Sequence, residues 1–74
     1  MSKSEDIIEL TGVVTEILPG AKFKVKATET NHEVLCTLSG KLRLNKIQII
    51  VGDSITFEVS PYDLKRGRIT WRNK

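Results

Sequence analysis

Ser60-Pro61-Tyr62-Asp63-Leu64-Lys65-Arg66-Gly67-Arg68-Ile69-Thr70-Trp71-Arg72-Asn73-Lys74 joins a turn to a strand. Between Gly67 and Arg72 the apolar Ile69 and Trp71 alternate with Arg68, Thr70 and Arg72. Successive side chains of a strand point to opposite faces, so this period of two sends Ile69 and Trp71 into a core and the arginines into water. On that reading, removing the Trp71 ring costs roughly 3–5 kcal/mol. Five of the chain's twelve Lys and Arg lie from Lys65 onward, and no acid follows Asp63. The strand's outer face is therefore cationic and suited to phosphate oxygens.

The same period recurs upstream. Ile8, Leu10, Gly12 and Val14 share one parity while Ile7, Val13 and Ile17 share the other, which places a bulge near Gly12 in a long, bent first strand. Pro19-Gly20 is a turn. Ala21, Phe23, Val25 and Ala27 then alternate with Lys22, Lys24 and Lys26 as a second strand with one apolar and one ammonium face. Thr28 to Asn31 connects to a third strand, in which His32, Val34, Cys36 and Leu38 alternate with Glu33, Leu35 and Thr37, and Ser39-Gly40 ends it. The pattern breaks from Lys41 to Lys46, where Leu42 and Leu44 flank Arg43 and a single helical turn is expected. After the turn Val51-Gly52-Asp53-Ser54, Ile55, Phe57 and Val59 mark strand four, and Pro61-Tyr62-Asp63 leads to strand five from Gly67.

The expected fold is all-β: a five-stranded OB-fold barrel with a short helical turn between strands three and four, whose strand two and three face commonly binds oligonucleotides. Seventy-four residues make a single domain, 1–74, with residues 1–6 a flexible polar tail. A chain this short leaves little room for an enclosed active site. No apolar run exceeds three residues, as in Ile49-Ile50-Val51, so no membrane contact is expected. Met1 to Asp6 is polar and acidic rather than a secretory signal, and the cytoplasm is the expected location. Cys36 stands alone, as a small buried hydrophobe in a reducing compartment.

The net charge of +3 comes in blocks. Residues 1–21 carry −3; Lys22, Lys24 and Lys26 form one basic cluster, Lys41, Arg43 and Lys46 a second, and the carboxy-terminal residues a third, with acids between. Such a sided surface steers toward a polyanion. Phe23 and Phe57 share the core parity with Trp71, leaving Tyr62 as the loose aromatic. The chain therefore reads as a binder of folded RNA through charge and shape, not as a single-strand reader that stacks bases on aromatics. The candidate RNA contacts are Arg66, Arg68 and Arg72 first, then Lys41, Arg43 and Lys46, with Lys24 and His32 on the strand two and three side. No acid–base pair, nucleophile constellation, phosphate loop or spaced set of metal ligands is present, so neither catalysis, a cofactor nor a metal is expected.

Ser39-Gly40-Lys41-Leu42-Arg43, Gly52-Asp53, Pro61-Tyr62-Asp63-Leu64 and Gly67-Arg68-Ile69, in this order and spacing, resemble the bacterial translation initiation factor one family. Ile8-Glu9 with Gly12 and Val14, and Leu18-Pro19 before Phe23-Lys24-Val25, extend the resemblance over about residues 5–74. It implies a monomeric, non-enzymatic, S1-like OB domain that occupies the aminoacyl-tRNA site of the small ribosomal subunit. There it would contact ribosomal RNA near the decoding centre and a neighbouring ribosomal protein, and act with initiation factors two and three. The family's basic motif maps onto Lys41 and Arg43, and its carboxy-terminal arginines onto Arg68 and Arg72. Leu44 and Gln48 stand where the family often has basic residues, Lys46 where an aromatic is common, and Thr37 where a second histidine is usual. The alternative reading is a general OB-fold RNA-binding protein or RNA chaperone, with a protein-interaction adaptor third.

Overall fold

Five runs of alternating side chains become five strands in the computed structural model, which describes residues 7–40 and 48–73. They are β1 (Ile8–Leu18), β2 (Lys22–Ala27), β3 (Glu33–Leu38), β4 (Ser54–Ser60) and β5 (Asp63–Asn73). They close into a barrel in the order β1-β2-β3-β5-β4, with β4 returning to β1. The β3–β5 pair is parallel and the other four pairs are antiparallel. Closure leaves no long sheet edge exposed, the arrangement expected of an OB-fold barrel. The helical turn expected from Lys41 to Lys46 and the tail 1–6 lie outside the described residues.

The inward parity fills the barrel. Phe23, Val25 and Ala27 of β2, Val34 and Cys36 of β3, and Ile55, Phe57 and Val59 of β4 are buried together with Val14 and Ile69. Each removes apolar area from water at roughly 25 cal/mol per Å². No buried side-chain polar atom among the described residues lacks a hydrogen-bond partner. Burial pushes the Cys36 thiol up to about 12, so it stays protonated and unreactive at neutral pH.

Four expectations need correction. Ala21 belongs to the turn after β1, with a φ of 59°, and β2 starts at Lys22. The register of β1 against β2 slips between Val14 and Glu16, so the bulge falls three residues beyond Gly12. Gly12 serves close approach instead: a Cβ there would sit 2.6 Å from the Lys26 carbonyl oxygen and 2.8 Å from Val25 Cγ1. Strand β5 begins at Asp63, four residues before Gly67: Asp63 pairs with Ser60 of β4, and the parallel ladder to β3 then starts where Leu35 meets Arg66.

The fourth concerns Trp71, which is 61% exposed and not in the core. Along β4–β5, Phe57 pairs with Ile69 but the next partner of Thr56 is Trp71, leaving Thr70 as an extra residue. One inserted residue reverses the parity of everything after it. Ile69 therefore points inward, Trp71 outward beside Thr56, and Arg72 falls opposite buried Ile55 at the barrel's end. The Thr70 hydroxyl donates to the Thr56 carbonyl at 3.4 Å, fastening the bulge.

Candidate nucleic-acid interface

The outward parity of β2, β3 and β5 assembles one basic face. Across the ladders, Lys24 lies opposite Leu35 and Leu35 opposite Arg66; one step along, Lys22 lies opposite Thr37 and Thr37 opposite Arg68. Two cationic strands thus flank the neutral Leu35 and Thr37, while Glu33, at the start of β3, faces Lys26. Lys22, Leu35, Thr37, Arg66 and Gly67 line a concavity of about 450 Å³ between them. Gly67 is held by its neighbours, since a Cβ would stand 2.8 Å from the Glu58 carbonyl oxygen.

These cations have acidic neighbours, and the geometry separates them into two kinds. Lys24 Nζ lies 3.5 Å from Glu16, Arg66 Nε 3.8 Å from Asp63, and Arg68 Nη2 3.1 Å from Glu58. All three are exposed pairs, a type that contributes about 0–1 kcal/mol, so a phosphate can replace the carboxylate at little cost. Among the described residues Lys22, Lys26 and Lys65 form no ion pair.

Arg72 is held differently. Its Nε donates to Asp53 Oδ2 at 3.1 Å, with the two side chains 35% and 16% exposed. The same carboxylate oxygen accepts the Ile50 backbone N–H at 3.0 Å. The Asp53 carbonyl accepts from Val14 N–H, and Gly52 N–H donates to the Val14 carbonyl. Asp53 thereby ties the end of β5, the segment before β4 and the middle of β1 into one knot. The guanidinium of Arg72 is a structural partner in this arrangement.

His32 is half-buried, with both ring nitrogens engaged. Its Nε2 donates to the Leu64 carbonyl at 3.3 Å, which leaves Nδ1 of the neutral ring to accept from the Thr30 hydroxyl. It joins the β2–β3 connection to the start of β5. Lys41, Arg43 and Lys46 lie outside the described residues. Of the candidates, the structure therefore brings Lys24, Arg66 and Arg68 to one face and sets Arg72 and His32 apart as ties between elements. Sequence reading passed over Leu35 and Thr37, whose outward parity within β3 was the available signal. It also passed over Asp53, whose place in a turn gave no sign of a partner nineteen residues later.

No group of three or more His, Cys, Asp or Glu side chains converges among the described residues, and no helix there is long and apolar enough to cross a membrane. Tyr62 is 86% exposed at the tip of the β4–β5 hairpin, where its N–H donates to Ser60 Oγ.

Comparison with known proteins gives a consistent result. The model of the family described as translation initiation factor 1A / IF-1 matches residues 2–74. The solution structure of translation initiation factor IF-1 from the Wolbachia endosymbiont strain TRS of Brugia malayi is similar at 47% identity and a TM-score of 0.77, over 97% of this chain and 84% of that one. YjeQ from Thermotoga maritima is similar at 28% identity and a TM-score of 0.74, over 90% of this chain but 23% of that one. YloQ, a circularly permuted GTPase, shares the fold alone, at 16% identity and a TM-score of 0.75, over the whole of this chain and 25% of the other.

Proposed function

The chain belongs to the translation initiation factor 1A / IF-1 family, and we propose that it binds the small ribosomal subunit at the aminoacyl-tRNA site through the β2–β3–β5 face. The observation that carries this reading is the pair of cationic strands, Lys22 and Lys24 on one side and Arg66 and Arg68 on the other, flanking Leu35 and Thr37 over a concavity. Folded RNA presents phosphates on both sides of a groove, and exposed ammonium and guanidinium groups on two flanking strands can meet them from both sides. Lys41, Arg43 and Lys46 extend the charge in sequence. Binding without chemistry is the mechanism: the domain occupies the site, contacts ribosomal RNA near the decoding centre and a neighbouring ribosomal protein, and works as a cytoplasmic monomer with initiation factors two and three.

Chemical footprinting of small-subunit RNA with and without the protein tests this. Protection confined to the decoding region, at one saturable site, is the expected result. Weak protection scattered over many RNA segments would instead identify a general RNA chaperone. If Lys22, Lys24, Arg66 and Arg68 each meet a phosphate, the logarithm of affinity should fall against the logarithm of salt with a slope of about 3–4. Replacing Arg66 and Arg68 together by Ala should flatten that slope.

A further inference from the structure

The geometry points to Trp71 as a platform on which an unpaired RNA base stacks, at the end of the cationic line along β5. This inference rests on the RNA-binding reading above and adds a contact of a different chemical kind. Outward side chains follow one another along the strand as Arg66, Arg68 and, after the Thr70 insertion, Trp71. The β3 ladder ends where Leu38 meets Ile69, so no β3 side chain stands beside Trp71. The chain's single tryptophan is thus 61% exposed beyond the end of the basic groove.

Its neighbours decide the occupant. On the β4 side Trp71 lies opposite Thr56, which lies opposite Thr11, and Thr70 precedes it. Among the described residues, the row of side chains that crosses the sheet at Trp71 thus carries hydroxyls, and the next row is Asn73, Ser54 and Val13. A protein interface of ordinary size buries about 800 Å² per partner around an apolar centre, far more than one isolated ring supplies. A nucleobase offers a π face of the ring's own size, with polar edges that suit hydroxyls. Joined to a phosphate track, an exposed aromatic is the usual device for holding unpaired bases.

Fluorescence of the intact protein tests the inference, because all tryptophan emission comes from Trp71. Titration with the small ribosomal subunit, and with an adenosine-rich unpaired RNA oligonucleotide, should quench that emission in step with binding measured by sedimentation and by filter retention. Trp71→Leu should bind roughly 5- to 150-fold more weakly, the range corresponding to one base–aromatic stack, and Trp71→Phe should recover most of the loss. The wild-type quenching result stands even if the Leu variant folds poorly. Emission that stays constant while binding saturates would overturn the platform, as would unchanged affinity of a folded Trp71→Leu protein. Quenching by RNA-free ribosomal protein but not by RNA would overturn it in favour of a protein contact. Failure of the wild type to bind the subunit at all would overturn the proposed function, and this inference with it.

Discussion

Strand β5 has two halves, Asp63–Ile69 and Thr70–Asn73, separated by one extra residue. In the first half the arginines point outward on an exposed face, and Ile69 fills the barrel. In the second the order is reversed: Trp71 points outward, and Arg72 turns to the barrel's end and meets Asp53. The alternation Arg68-Ile69-Thr70-Trp71-Arg72 runs unbroken across the junction, so the difference is made by the ladder with β4 and not by composition. Where an arginine sits relative to a bulge decides whether it faces solvent or ties elements of the protein together.

The sharpest way to break this comparison is to cut the two apolar side chains. Ile69→Ala opens a cavity in a core with few large side chains and should cost about 2–5 kcal/mol, a large part of what a domain this small can hold. Trp71→Ala should cost well below that range, in contrast to the cost expected from parity alone. Urea unfolding of both variants checks it, and equal losses would return Trp71 to the core.

Asp53→Ala comes next, with an expected loss of about 1–3 kcal/mol, because it removes the acceptor of both Ile50 N–H and Arg72. Arg72→Gln should fall below that, since only one of those bonds is lost and the Ile50 contact stays. Thermal melts rank the two. If Arg72→Gln leaves the melting temperature unchanged and abolishes subunit binding, the ion pair is incidental and Arg72 belongs with the RNA contacts.

Much of this architecture is legible in the residues, and its failures have a common cause. Strands β2 and β4 are uninterrupted alternations, Phe23-Lys24-Val25-Lys26-Ala27 and Ile55-Thr56-Phe57-Glu58-Val59, and each side chain lies on the face its parity assigns. Parity is a local property, however, and a bulge is a property of two strands. Thr15 and Thr70 carry no mark as inserted residues; only the partner's register makes them so. The early start of β5 is hidden for a related reason: Asp63-Leu64-Lys65-Arg66 has no apolar alternation, and its place is set by pairing, Asp63 with Ser60 of β4 and Arg66 with Leu35 of β3. In the basic face, the cations were legible as types and their grouping was not. Lys24, Arg66 and Arg68 come together only once β3 is placed between β2 and β5, whereas the Arg72–Asp53 contact spans nineteen residues.

Arg68 provides the smallest effect on stability and the clearest contrast with Arg72. Its pairing with Glu58 is as short, 3.1 Å, but the two side chains are 58% and 28% exposed and the carboxylate accepts no further bond among the described residues. Exposed pairs of this kind contribute about 0–1 kcal/mol, and salt screens them further. Arg68→Gln should therefore leave the melting temperature nearly unchanged while weakening subunit binding and lowering its salt slope by about 1. Glu58→Gln completes the argument in the opposite sense: stability should again hardly move, but binding should tighten, because the carboxylate competes with phosphate for the same guanidinium. Sedimentation with the small subunit at two salt concentrations measures both. A Glu58→Gln protein that binds more weakly than wild type would show that the pair presents Arg68 rather than competing for it.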